Sequence, residues 1–171
     1  NQILSARDDR DAIGTHTSTG TVASIAANRI SYCFDLRGPS IAVDTACSSS
    51  LVALHLACRS IWNQESSKAL VGGVNLIISP GPFIGFSKLS MLSPDGRCKA
   101  FDANANGFVR AEGAGVVVLK PLSRAVAERD RIYALVLGTA VNQDGRTNGI
   151  TVPSQRAQEA MLREVCARAG V

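Results

Sequence analysis

Val43-Asp44-Thr45-Ala46-Cys47-Ser48-Ser49-Ser50-Leu51 joins a short β-branched run to an apolar helical pattern through a turn of small residues, with a cysteine at the junction. Upstream, Ser40 to Thr45 reads as a short buried strand, because Ile41 and Val43 are β-branched and Gly38 and Pro39 bound the run. Downstream, about Cys47 to Asn63 reads as a helix, with Leu51, Leu54, Cys58 and Ile61 on one stripe and Val52, Leu56 and Trp62 beside it. A thiol on the first turn of a helix sits against unpaired backbone N–H groups and the positive end of the helix dipole, and both favour thiolate over thiol. A tight strand-to-helix turn also lifts the side chain out of the core and offers a local N–H to an oxyanion, as the nucleophile elbow does for serine. Free cysteine is otherwise a small buried hydrophobe, and the turn alone does not separate the two readings.

Outward from this junction the pattern alternates between helical and extended segments. Val22, Ile25, Ala26, Ile30 and Phe34 recur at helical spacing, and Leu36 to Pro39 punctuates their end. Residues 1–20 are polar and read as loop with a possible short helix. Lys68 to Ser79 is a near-continuous apolar run, as in a strand covered on both faces. A short helix near Phe83 to Leu89 follows, then an irregular stretch from Ser93 to Glu112 dense in Gly, Asn and Asp. Irregular segments of that length inside a domain are usually functional. Gly115 to Leu122 and Ile132 to Val141 read as strands, with a short helix capped by Ser123 between them. Gln155 to Ala169 reads as an amphipathic helix with Ala157, Met161, Val165 and Ala169 inside. This order predicts a mixed sheet layered with helices, as one structural unit.

The composition excludes several classes. With 46% hydrophobic and 19% charged residues in 171, a folded core is the expectation. The net charge of +4 is scattered, and the local excess at Arg156, Arg163 and Arg168 reads as the solvated face of the last helix, so no nucleic-acid partner is expected. Five cysteines, Cys33, Cys47, Cys58, Cys98 and Cys166, contain no C-x-x-C pair, which suits neither a disulfide framework nor a metal site. No apolar run approaches the ~20 residues of a membrane span, and no leader opens the chain, so a cytoplasmic protein is expected. Both ends read as cut rather than natural.

V-D-T-A-C-S-S-S-L resembles the active-site signature of type I polyketide ketosynthases, and the likeness covers nearly the whole chain. Ser24 to Tyr32 (S-I-A-A-N-R-I-S-Y), Asp35 to Ser40 (D-L-R-G-P-S), Gly72 to Pro80 (G-G-V-N-L-I-I-S-P) and Met91 to Asp102 (M-L-S-P-D-G-R-C-K-A-F-D) are similar to family blocks in their proper order. Gly107 to Gly115 (G-F-V-R-A-E-G-A-G) and Asn142 to Pro153 (N-Q-D-G-R-T-N-G-I-T-V-P) continue the series. The resemblance implies a thiolase-like layered α/β/α fold, mostly its N-terminal half, so that 1–171 is a partial beta-ketoacyl synthase domain, usually paired as a dimer. It implies decarboxylative Claisen condensation, with Cys47 taking an acyl group as a thioester from the phosphopantetheine arm of an acyl carrier protein, in company with an acyltransferase domain. No bound cofactor is implied.

The resemblance further implies two histidines, in an H-G-T-G-T block and a later G-H block, both beyond the end of this chain. His16 and His55 match neither: His16 reads as an exposed loop residue, and His55, ~12 Å along the helix from Cys47, as a hydrogen-bonded packing residue. Residues 1–171 alone are therefore expected to lack condensing activity and to expose apolar faces. Glu112 is a candidate either to orient a basic group or water, or to accept a backbone N–H. Asp44 and Ala46 are candidates to support the site, with Phe101, Asp102 and Arg110 shaping the fold around it. Gly107, Gly113 and Gly115 read as turn glycines rather than a phosphate cradle, since no Lys-Ser/Thr pair follows them. A non-elongating, chain-binding relative is the alternative function, and a coenzyme A thiolase fits the blocks poorly.

Overall fold

The structure, a computed structural model, describes residues 13–171. In chain order the helices and strands are α1 (Thr17–Thr21), α2 (Ser24–Cys33), a 3-10 turn (Ala46–Ser48), α3 (Ser49–Trp62), β1 (Ala69–Asn75), α4 (Gly81–Lys88), β2 (Gly113–Leu119), α5 (Leu122–Ala127) and α6 (Gln155–Ala169). Every helix anticipated from apolar periodicity is present within a few residues of its expected bounds. Helix hydrogen bonds close within four residues, so local pattern suffices to place them. α6 shows this best, since Ser154 caps it by accepting from the Ala157 N–H and Gly170 ends it in the left-handed conformation, φ 75°. No helix among the described residues is long and apolar enough to cross a membrane.

The strands depart from expectation. β1 and β2 pair in a two-stranded sheet, but 40–45 and 132–141 carry no strand pairing among the described residues. A ladder needs a second strand, whatever the propensity of the first. Nor is β1 covered on both faces: Val71 is buried while Leu70 and Val74 are exposed. Gly113 and Gly115 lie within β2 rather than in turns.

The chain forms two compact units rather than the single one expected, and the division falls inside both strands. The larger unit comprises Ala23–Gly72 and Val116–Val171. Cys58 of α3, Val71 of β1 and Ala125 of α5 are its buried apolar residues. Gly138, in 132–141, passes so close to α6 that a Cβ there would meet the Val165 carbonyl oxygen at 3.1 Å. Past the end of β2, Lys120 pairs with Glu128 and Asp130, and Arg124 pairs with Glu128 at 2.6 Å. Hydrogen bonds from Lys120 and Arg124 hold the Glu128 carboxyl at about 2. Large apolar side chains such as Ile41, Val116, Leu135 and Leu137 stand exposed, as anticipated for these residues alone.

The second unit contains 13–22 and Gly73–Gly115. Its aromatic centre is Phe86 of α4 set edge-on to Phe108, ring centroids 5.4 Å apart, with the Arg110 guanidinium over the rings of Phe83 and Phe86. Arg110 thus packs within this unit, whereas Phe101 is fully exposed. The irregular stretch between α4 and β2 is pinched shut by a bridge between Leu92 and Phe108: Ser93 N–H donates to the Phe108 carbonyl at 2.9 Å, and Phe108 N–H to the Met91 carbonyl at 3.0 Å. Within it, Ser93 and Lys99 each reach both Asp95 and Asn106.

Two outcomes are expected from this loop. Gly107 has φ 138°, and a Cβ on it would lie 2.5 Å from the Ser93 nitrogen, so Gly107→Ala should destabilise the protein by about 2 kcal/mol or more, read as a lowered urea midpoint. Hydrogen bonds from Lys99 and then Ser93 lower the Asp95 carboxyl from 3.8 to about 2. A depressed carboxyl contributes stability above its ordinary value and loses it as pH falls toward 2. Pepsin cleavage between 93 and 107, normalised to an unfolded standard, should therefore rise from pH 4 to pH 2. Asp95→Asn should be cut at pH 4 as readily as the unaltered protein at pH 2.

Candidate active site

Thr45 ends the 40–45 segment, and the chain reverses at Ala46, whose φ is 55°. Alanine in the left-handed region costs ~1–2 kcal/mol, so its neighbours must hold it there. They do so with short polar side chains. Asp44 Oδ1 accepts from the Ala46 N–H at 3.1 Å, and Ser49 Oγ accepts from the Thr45 N–H at 2.9 Å. Ser49 donates in turn to the Ala46 carbonyl at 2.7 Å, and the Ser48 hydroxyl reaches back to Thr45 at 2.9 Å. Asp, Ser and Thr bond local backbone readily, which explains a polar cluster at a helix entrance.

Cys47 is the middle residue of the 3-10 turn that this network builds, and it is exposed. It therefore stands one short turn ahead of α3, which begins at Ser49, and not on the first turn of the helix itself. Of the strand-to-helix elbow anticipated from the residue pattern the structure shows the backbone reversal at Ala46, without a paired strand before it. Asp44 and Ala46 belong to this turn, the one as acceptor and the other as the reversed residue. Thr45, Ser48 and Ser49 share the same work and were not singled out from the sequence, although their spacing of three and four residues is that of local side-chain-to-backbone bonds.

The other cysteines differ in setting. Cys58 is buried, and burial pushes its thiol pKa up. Cys98 Sγ accepts from the Val109 N–H at 3.1 Å. Cys33 and Cys166 are exposed rather than packed. Exposure alone does not single out Cys47; the reversed turn does.

Glu112 lies in the smaller unit, where its Oε1 accepts from the Ile77 N–H at 2.5 Å beside an Asn75-to-Ala111 carbonyl bond at 2.6 Å. Of its two readings the structure shows the backbone acceptor. His16 is exposed ahead of α1, and His55 is bonded to Thr139 at 2.8 Å. Among the described residues no three His, Cys, Asp or Glu side chains are grouped to hold a metal ion. Glu112→Ala should cost about 1–3 kcal/mol by leaving the Ile77 N–H without its acceptor, and Glu112→Gln should recover most of it. Urea denaturation checks both.

Comparison with known proteins places the chain in a family. Residues 1–125 match the family model of the beta-ketoacyl synthase N-terminal domain, and residues 133–171 match that of the C-terminal domain. A phenolphthiocerol/phthiocerol polyketide synthase of Mycobacterium tuberculosis is 54% identical over 97% of this chain and 9% of its own length. A highly reducing polyketide synthase of Aspergillus calidoustus is 58% identical over 88% of this chain and 6% of its own. The solved ketosynthase from module 6 of the bacillaene synthase of Bacillus subtilis 168 superposes with a TM-score of 0.85 at 51% identity, over 89% of this chain and 27% of that one. The oxazolomycin ketosynthase domain of Streptomyces albus JA3453 does so at 0.85 and 48%, over 88% and 26%. The fold is the thiolase-like α/β fold that the sequence implied, and the chain spans a small part of each relative. Two family models matched in chain order, with about half of the residues shared from Mycobacterium to Aspergillus, lead to one assignment: the chain belongs to the beta-ketoacyl synthase family.

Proposed function

We propose that this chain carries the acyl-accepting cysteine of a polyketide ketosynthase. The observation that supports it is the exposed Cys47 on a reversed turn directly before α3, in a chain of this family. The Cys47 thiolate attacks the thioester carbonyl of an acyl chain on the phosphopantetheine arm of a carrier protein. An S–C bond forms, the arm's thiol leaves and takes up a proton, and the chain rests on Cys47. Loss of carbon dioxide from a malonyl-type extender then leaves an electron pair on its α-carbon. That carbon attacks the Cys47 thioester, a C–C bond forms, and the cysteine sulfur departs as thiolate.

The turn serves these steps by holding the sulfur in one place and clear of the packed helix, so that the reacting atoms meet without a further ordering cost. The proton-handling histidines belong to the blocks that the family pattern places after Val171. The carrier protein and acyltransferase domains of the same synthase, a second copy of the domain and a cytoplasmic setting are part of the same proposal.

Treatment of the intact parent protein with iodoacetamide or cerulenin, followed by peptide mapping, should place the label on Cys47. Cys47→Ala should abolish loading from an acyl carrier. Label that spreads over the other cysteines and spares Cys47 ends the proposal. Loading without condensation, in a protein whose downstream histidine blocks are absent, would favour a non-elongating member that only holds the chain.

A further inference from the structure

His55 lies two turns into α3, the helix that opens behind Cys47. Its Nδ1 stands 2.8 Å from the Thr139 hydroxyl, 84 residues along the chain in the unpaired segment 132–141. The same threonine is held from the other side, because Arg168 of α6 donates to the Thr139 carbonyl at 3.2 Å. Cys58, one turn beyond His55 on the same face of α3, is buried, so this face is the packed one. Thr139 is thus a point to which α3 and α6 are both tied, and the tie to α3 is a single side-chain bond within one compact unit.

We propose that His55 is a positioning residue for Cys47: through Thr139 it fixes the axis of α3, and with it the turn that carries the thiol. The inference rests on Cys47 being the nucleophile. A rigid helix transmits a change at its second turn to its start, and the 3-10 turn is joined to α3 without a break. Protonation would place a charge on this part-buried ring beside two arginines. Burial lowers the His55 pKa, Arg59 of α3 and Arg168 of α6 lower it further, and Glu164 of α6 pulls the other way while also pairing with Arg168. The 132–141 segment contributes the Thr139 hydroxyl. A histidine whose folded-state value is depressed stabilises the fold above its ordinary 6.5 and loses that contribution as pH falls through the lowered value.

The test is the rate at which iodoacetamide labels Cys47 in the intact parent protein, read by peptide mapping, with circular dichroism reporting the fold. Thr139→Val removes the hydroxyl at nearly constant shape and His55→Leu removes the ring; each should slow labelling about fivefold at pH 7, the share of one side-chain hydrogen bond. His55→Gln, which keeps a hydrogen-bonding amide, should label near the unaltered rate. Compared at equal pH, so that the ionisation of the thiol cancels, the ratio of His55→Gln to unaltered rate should rise as pH falls from 7 through the lowered His55 value, because only the unaltered protein has a ring to protonate. Unchanged labelling in whichever of Thr139→Val and His55→Leu stays folded, or a ratio flat over the whole pH range in which circular dichroism shows the fold intact, overturns the inference. No label on Cys47 in the unaltered protein overturns the nucleophile assignment and this inference with it, whereas a labelled Cys47 indifferent to the variants overturns this inference alone.

Discussion

A single alanine held at φ 55° sets the geometry of the candidate site. The Ala46 methyl gains nothing from that conformation, so the cost is met by the Ala46 N–H donating to Asp44 and by the Ser48 and Ser49 hydroxyls donating to the Thr45 and Ala46 carbonyls. Reversal at 46 directs the chain into the 3-10 turn, and the turn delivers residue 47 to the surface ahead of α3.

Polar side chains do comparable work elsewhere in the chain. Ser93, Asp95, Lys99 and Asn106 cross-link a long irregular segment whose ends the Leu92–Phe108 bridge closes. Past β2, Lys120 is nearly enclosed between Glu128 and Asp130; burial opposes its charge, and the two carboxylates more than offset that, so its pKa is raised. Such networks define geometry more than they add stability, because each charge gains from its partner roughly what it loses in hydration. Three apolar residues, Cys58, Val71 and Ala125, are buried among those described.

The chemistry proposed for Cys47 needs a sulfur that is presented and held, and the turn supplies both. The Glu112 carboxylate accepts from the Ile77 backbone N–H. Cys33 and Cys166 show that an open thiol is not rare in this chain, so local backbone, rather than exposure, carries the assignment.

How much was legible from the residues follows the range of the forces involved. α2, α3 and α6 were readable because an apolar stripe at helical spacing, a capping Ser154 and a terminal Gly170 act within a few residues of one another. The site was readable as a cysteine at a change of period, with Asp44 and Ala46 beside it. The pairing of 40–45 and 132–141 was not, since strand ladders are made by other strands and β-branched residues only permit them. The division into two units, the partner of Glu112 and the contact of His55 with Thr139 were likewise undetermined, because each joins residues 35 or more apart in the chain. Sequence by itself determined the helices, through short-range hydrogen bonding and periodicity, and offered Cys47 as the nucleophile candidate through its resemblance to the ketosynthase signature. Tertiary structure alone decided which strands pair and which distant side chains meet, because those contacts depend on where the rest of the chain comes to lie.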